Sequence, residues 1–276
     1  MDEHPTFAPS EREQIIDFFR EQNYVVIKDA LTPDELHFLN QFVDGSQQQI
    51  PAEWGIGHAD IYSHGQILVN HPELDHYARH PAVMPLIKKI LGPDLRFGQI
   101  DFRDVPAGIG EKASLHFHRD RGFVPKGYWR EKRLECVYVC AIYYLSDVGD
   151  DDTCFCVVPN SYAYETLEEA KAEMGAGYRQ IPLRGKAGTL VLYNIAIYHT
   201  RQLGANDAGR RTLHHYFSRE GNPSLTNWAL IPQRLAEHRD AETRAYYSHW
   251  TEKMQAYVDA GFSEEFYQEQ CGGKKV

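Results

Sequence analysis

Between Leu95 and Phe217 the chain is cut into short runs dense in Val, Ile, Tyr and Phe: LRFGQIDF, ECVYVCAIYYL, CFCVVP, GTLVLYN and RTLHHYF. Gly, Pro and Asp stand between them. β-Branched and aromatic side chains suit a pleated surface, and turn residues end it, so each run predicts a strand. Several strands at this spacing predict a β-sandwich or barrel.

Helical signals bracket this block. Ser10-Glu11-Arg12-Glu13 reads as a capping box opening a helix whose apolar face is Ile15, Ile16, Phe18 and Phe19. Tyr24-Val25-Val26-Ile27 reads as a short strand. Thr32-Pro33-Asp34-Glu35 is a second helix start, continued by Leu36, Leu39 and Val43. Residues 46–70 lack periodicity and read as a structured loop region bordering a pocket, where His58, His64, Trp54 and Tyr62 are candidates for its wall. Pro81 to Gly92 has helical spacing and ends on the usual glycine stop. After Pro223 a charge-rich helical pattern returns, with Tyr246, Trp250, Met254 and Tyr257 forming a stripe that reads as packing. The expectation is a single domain over residues 1–276, mainly β with flanking α-helices. Residues 1–94 form a helical part, 95–220 the β core and 221–276 a helical extension.

Composition narrows the partners. A formal charge of −10 argues against a broad nucleic-acid surface, which needs clustered Lys and Arg. No apolar run approaches the roughly 18 residues of a membrane span, and the N-terminal residues lack a signal-peptide pattern, so a cytoplasmic protein is expected. Five cysteines, at 136, 140, 154, 156 and 271, are an odd number that reads as reduced thiols. Cys154 and Cys156 lack a second pair at zinc-site spacing and read as small core residues.

The chemistry centres on Ser114-Leu115-His116-Phe117-His118-Arg119-Asp120. In an extended backbone His118 and Asp120 project to one side and can bind one metal. His199 follows the Gly-led strand GTLVLYN and can be adjacent across a barrel. Two imidazoles and one carboxylate make a facial triad that leaves open positions and suits non-haem Fe(II). His-x-Asp alone is common; the order of strands around it and Arg210, eleven residues after His199, give it weight. A guanidinium is a planar fork for a carboxylate, the group by which 2-oxoglutarate is held while its 2-oxo-acid end chelates iron. Arg210, Thr212, His214 and Tyr216 share one strand face, and Arg211, the rival, takes the other.

These residues resemble the phytanoyl-CoA dioxygenase family of Fe(II)/2-oxoglutarate oxygenases, which includes ectoine hydroxylase. The resemblance runs from FFREQNYVVIKDALTPDELHFLNQFV through HRD at 118–120, CVVPNSY at 156–162, AGTLVLYN at 187–194 and His199 to RRTLHHYF at 210–217. It implies a double-stranded β-helix, or jelly roll, with flanking helices. It implies His118, Asp120 and His199 as iron ligands and Arg210 as the 2-oxoglutarate contact, with Gln99 and Thr200 as further cosubstrate contacts. The chain departs from the family pattern in three places. Asn160 and Tyr162 stand in a motif that is usually Pro-Gly-Ser-His. Arg201 stands where many members have Ser. Val124, with Phe123 beside it, stands where an aromatic residue often follows the metal motif.

The expected activity is O2-dependent hydroxylation of a small molecule with release of succinate and CO2. A carboxylate at position 120 speaks against halogenation, which needs a small residue there. Arg119, Arg121, Lys126, Arg130, Lys132 and Arg133 make a basic stretch that can steer an anionic substrate. The alternative is a cupin-like metal-binding protein or isomerase without oxygenase activity, with His116 beside His118. Arg210 discriminates, because such a module has no evident need for it.

Overall fold

The computed structural model describes residues 4–56, 61–109, 116–120, 136–206, 208–219, 222, 225–226, 228–247 and 252–270. Its strands are β1 (Thr6–Phe7), β2 (Tyr24–Ile27), β3 (Gly55–Ile56), β4 (Tyr62–His64), β5 (Leu95–Val105), β6 (Tyr138–Tyr144), β7 (Cys154–Val157), β8 (Ile181–Leu183), β9 (Leu190–Asn194), β10 (His199–Gln202) and β11 (Arg210–Arg219). The helices are α1 (Arg12–Gln22), α2 (Pro33–Gln49), α3 (Ile67–Asn70), α4 (Asp75–Ala78), α5 (Met84–Leu91), α6 (Leu167–Met174), α7 (Gln233–Ala236), α8 (Ala241–Tyr246), α9 (Glu252–Asp259) and α10 (Glu264–Gln270).

The strands form a large sheet in the order β1-β2-β9-β6-β11-β5-β4-β3 and a small sheet in the order β10-β7-β8. All pairings are antiparallel except β1 with β2. One face of the large sheet (Val25, Ile27, Val139, Ala141, Tyr143, Leu192) packs under α1, α2 and α5 through Ile15, Phe19, Leu39 and Ile87. The opposite face (Tyr24, Val26, Cys140, Ile142, Tyr144, Val191) meets Cys154, Val157 and Leu183 of the small sheet. Both faces are therefore dry, and ECVYVCAIYYL is apolar at nearly every position instead of alternating.

The interior turns polar at one end. Along β5, Ile100 and Phe102 point to the helices while Gln99, Asp101 and Arg103 point inward. Across from them on β11, Tyr216 pairs with Gln99, His214 with Asp101, Thr212 with Arg103 and Arg210 with Val105. The register slips between Tyr216 and Phe217, which pairs with Phe97, so Gly98 is an extra residue in β5. A Cβ on Gly98 would stand 2.7 Å from the Tyr216 carbonyl oxygen, and this close approach of two backbones requires glycine.

At Thr32 the expected capping box forms: the Glu35 carboxylate accepts from Thr32 N–H at 2.8 Å, and the Thr32 hydroxyl accepts from Glu35 N–H at 3.2 Å. At Ser10 it does not. Glu11 accepts from Ala8 N–H at 2.5 Å and closes a turn there, so α1 begins at Arg12 and Ser10 stays exposed. The described part of residues 46–70 is more regular than its sequence pattern implied: α2 runs to Gln49, and β3, β4 and α3 follow. The N-terminal third, read as largely helical, thus also adds four strands to the large sheet. The C-terminal helical stretch is broken into short pieces, with Asp240 restarting it by accepting from Thr243 N–H at 2.7 Å. Tyr246 and Tyr257 of the aromatic stripe are buried as expected, while Trp250 and the Met254 side chain lie outside the described residues. None of the described helices is long and apolar enough to cross a membrane.

Candidate metal centre and cavity

His118 and His199 are direct cross-strand partners. His118 N–H donates to the His199 carbonyl and His199 N–H to the His118 carbonyl, both at 2.9 Å, which adds His118 to the edge of the small sheet beyond β10. Residues paired this way send their side chains to the same face, and the two imidazole centroids lie 4.5 Å apart. Each ring is oriented from behind. Nδ1 of His118 lies 2.9 Å from the His116 carbonyl oxygen, and Nδ1 of His199 lies 3.0 Å from that of Ile197. A carbonyl only accepts, so Nδ1 of each ring carries a proton, and a metal would take the lone pair of Nε2.

Asp120 completes the group. Its Oδ1 lies 3.7 Å from His118 Nε2 and 3.4 Å from His199 Nε2. Its Oδ2 accepts from the Tyr193 hydroxyl at 3.0 Å and the Tyr216 hydroxyl at 3.1 Å. One oxygen is thus tied to the barrel wall and the other is left toward the histidines. Burial opposes the charge on Asp120, but the neighbouring His199 side chain, the hydrogen bond from Tyr193 and the field of Arg103 outweigh it and hold the carboxyl well below the usual range. Burial and the Asp120 charge push both tyrosines far above their ordinary value, so they stay protonated donors. Burial, followed by the neighbouring His199, pushes His118 down, which favours the neutral ring.

A metal fits this trio. The three ligand atoms lie within 4.8 Å of one another and consist of two imidazole nitrogens and one carboxylate oxygen, a donor set suited to ferrous iron. Two other His/Glu groups differ. Glu53 Oε2 stands 2.9 Å from His64 Nε2 and 2.7 Å from His71 Nε2, contacts of ion-pair length that engage the carboxylate directly. Glu35 Oε1 is 2.9 Å from His80 Nε2, again a direct contact. His64 and Trp54 accordingly pack with Phe102 on the helix side of the large sheet. From β4 and the residue before it, Ser63 and Ile61 line the cavity instead; Tyr62 is exposed and His58 lies outside the described residues.

The trio opens on a cavity of about 360 Å³ that Gln99, Thr200, Arg201 and Arg210 also line. Arg210 is buried, and its Nε and Nη1 have no hydrogen-bond partner among the described residues. Burial pushes its pKa down. Buried donors left unpaired in this way need an explanation, and an anion in the cavity is the natural one. Arg211 faces the other way and is paired with Asp44 at 2.7 Å and Asp104 at 3.3 Å, so it is not available to the cavity. Gln99 is present but its amide nitrogen donates to Asp101 Oδ1 at 2.7 Å. Burial, with Arg210 and Arg103 nearby, lowers the Arg201 pKa to about 10. His116 is exposed and stands apart from the trio.

Sequence reasoning missed Tyr193 as a partner of Asp120 and missed Asp101 and Arg103 altogether. The signal was there: Gln99, Asp101 and Arg103 alternate with Ile100 and Phe102, which marks one polar strand face. Phe123, Val124 and the basic residues from Arg121 to Arg133 lie outside the described residues. Asn160 does take the left-handed conformation that its place in a usually glycine-bearing turn requires, at φ 57°.

The sequence profile of the phytanoyl-CoA dioxygenase (PhyH) family matches residues 19–211. The chain belongs to this family. No curated protein matches it. Among solved structures, the phytanoyl-CoA dioxygenase-type chain is similar to EctD from S. alaskensis with bound Fe, at 18% identity and a TM-score of 0.61, over 79% of each chain. It is similar to HygX from Streptomyces hygroscopicus with nickel and 2-oxoglutarate bound, at 17% identity and a TM-score of 0.60, over 83% of this chain and 93% of that one. It is also similar to SnoK, a non-heme alpha-ketoglutarate-dependent carbocyclase from nogalamycin biosynthesis, at 18% identity and a TM-score of 0.60, over 78% of this chain and 88% of that one. At such identities the likeness establishes the fold, a jelly roll with flanking helices.

Proposed function

We propose that the protein is an Fe(II)- and 2-oxoglutarate-dependent dioxygenase that hydroxylates a C–H bond of a small organic molecule. The observation that carries this reading is Arg210, a buried guanidinium with unpaired donors in the same cavity as His118, Asp120 and His199. A metal-binding module or isomerase without oxygenase activity has no evident need for such a group. A cosubstrate carboxylate gives it one.

In this reading His118, Asp120 and His199 hold the iron through Nε2, Oδ1 and Nε2, and Arg210 holds the distal carboxylate of 2-oxoglutarate. Gln99 and Thr200 line the same space and contribute polar contacts. When bound, the iron and 2-oxoglutarate supply the oxidation: O2 is consumed, one oxygen atom enters succinate as CO2 is released, and the other enters the substrate C–H bond. The chain's own residues do the positioning. Tyr193 and Tyr216 keep Asp120 Oδ2 occupied, so that one carboxylate oxygen would be left to hold a metal. Phe155, 5.3 Å from the His199 ring, makes an apolar wall beside it. The EctD, HygX and SnoK likenesses agree with metal and oxo-acid chemistry in this fold, and the carbocyclase among them shows that the outcome can differ from hydroxylation.

Anaerobic addition of Fe(II) and then 2-oxoglutarate to the apoprotein tests the reading. A visible charge-transfer absorption is expected, and folded protein without it would sink the proposal. Asp120→Ala is expected to remove iron binding and succinate formation. Arg210→Ala is expected to retain iron and weaken 2-oxoglutarate affinity by at least tenfold. Equal 2-oxoglutarate affinity in Arg210→Ala and wild type would move the carboxylate to another arginine of the cavity.

A further inference from the structure

Besides Arg210 and Arg201, a third guanidinium lines the cavity. Arg103 lies on the inward face of β5, and its Nε donates to Asp101 Oδ2 at 2.7 Å. Asp101 Oδ1 in turn accepts from Gln99 Nε2 at 2.7 Å. Asp101 and Gln99 are buried, so this relay fixes the guanidinium plane from behind. The terminal nitrogens Nη1 and Nη2 have no hydrogen-bond partner among the described residues. The side chain keeps 35% of its surface, and it lines the cavity.

Arg103 and Arg210 enter the cavity from different points of its wall. It pairs across the sheet with Thr212, while Arg210 pairs with Val105. The two arginines are thus offset by two residues along adjacent strands, a step of about 7 Å. A carboxylate held by Arg210 alone would leave the Arg103 fork for a second anion. Around that fork the cavity is mixed. Ser63 is the direct partner of Arg103 on β4 and offers a hydroxyl, and Ile61 and Trp228 offer apolar surface beside it. A ring of Trp228 packs close over the backbone at Gly65, where a Cβ would meet it at 3.0 Å.

We propose that Arg103 receives a carboxylate of the substrate, which makes the substrate class a small organic acid with an apolar body lying against Ile61 and Trp228. This rests on the oxygenase reading above. A guanidinium held through Nε presents the edge formed by Nη1 and Nη2, two roughly parallel N–H groups that match the two oxygens of a planar carboxylate. Asp101 already offsets much of the charge, so the selectivity comes from this geometry more than from long-range attraction. A neutral amide of the same shape brings its own N–H donors against the Arg103 donors and loses one of the two bonds.

The test uses protein loaded anaerobically with Fe(II) and 2-oxoglutarate and follows the visible charge-transfer band. The probes are phenylacetate, hexanoate and N-acetyl-leucine, each beside its primary amide, with phenyl phosphate as a tetrahedral anion. The acids are expected to perturb the band at concentrations at least tenfold below their amides and below phenyl phosphate. Arg103→Gln is expected to abolish that preference with the band still formed, and Arg103→Lys to keep part of it. A band in wild type with no preference for acids overturns the inference alone, as does stronger binding of phenyl phosphate. Loss of 2-oxoglutarate affinity in Arg103→Gln also overturns it, because Arg103 would then serve the cosubstrate. No band in wild type overturns the oxygenase reading and this inference with it.

Discussion

At the scale of single residues the centre is governed by how Asp120 divides its two oxygens. Oδ1 faces the histidines, and Oδ2 is claimed by two phenols that burial keeps protonated. A carboxylate free to rotate could offer both oxygens to one ion and occupy a position that the reaction needs. Removing the donors therefore acts on the metal through Asp120, and outer partners of this kind typically matter by about 10–100-fold in affinity. Tyr193→Phe and Tyr216→Phe are each expected to weaken Fe(II) or Co(II) binding by about tenfold, and the double variant by more. Co(II) absorption would report the coordination number at the same time. Unchanged affinity and spectrum in the double variant would remove both tyrosines from this role. Position 216 is legible from the strand alternation in RRTLHHYF, which sets it on the Arg210 face. Position 193 is not, because AGTLVLYN is buried on both faces and its pattern does not say which residues look inward.

The elements place those residues through register, and register is where sequence reading has least purchase. That His118 faces His199 depends on an edge pairing between segments far apart in the chain, and no local pattern encodes it. The cap at Thr32, by contrast, is local and was legible. Thr32→Ala is expected to cost about 1 kcal/mol, read from urea unfolding. Its partner Glu35 adds a pH dependence. Burial opposes its charge, but hydrogen bonds from Thr32 N–H, the Thr32 hydroxyl and His80 prevail and lower its pKa from 4.5 to about 2. A carboxylate with a depressed folded-state pKa contributes stability that is fully present above its unfolded value and lost as pH falls. Wild type is therefore expected to lose stability between about pH 4.5 and about pH 2 more steeply than Glu35→Gln, in thermal melts across that range. Parallel slopes would show that the carboxylate is solvated. The Ser10 box failed for a reason of the same kind: Glu11 had a competing acceptor role in the turn at Ala8, which residue spacing alone cannot rank. At Gly98 the bulge makes its own demand. Gly98→Ala drives a methyl into the Tyr216 carbonyl and is expected to cost about 1–3 kcal/mol by overpacking, while displacing the Tyr216 hydroxyl from Asp120 and so weakening metal binding.

Across the whole molecule the three parts read from the sequence are bound into one body of contacts. A single apolar cluster takes in Ile15 and Leu39 from the N-terminal helices, Phe102 and Leu213 from the β core, and Leu235, Tyr246 and Tyr247 from the C-terminal helices. We propose that they unfold together, as one cooperative domain. Gln66 offers the sharpest probe of that unity. Its amide nitrogen donates to the Trp228 carbonyl at 2.8 Å, and its amide oxygen accepts from Leu230 N–H at 2.9 Å. This buried side chain therefore ties the segment before α3 to the segment before α7, and it holds Trp228 where it forms part of the cavity wall. Gln66→Ala leaves two backbone groups without these partners, each worth about 1–3 kcal/mol where water cannot replace it. The expected result is one urea transition, shifted to lower denaturant and superimposable by circular dichroism and tryptophan emission. Separate transitions for the two probes would instead show that the C-terminal helices detach on their own. The same variant separates stability from function. Arg210 and the His118–Asp120–His199 group do not touch Gln66, so the charge-transfer band with Fe(II) and 2-oxoglutarate is expected to persist in the folded protein. The organic acids that perturb that band in wild type are expected to bind several-fold more weakly, because the Trp228 wall against which they lie has lost its anchor.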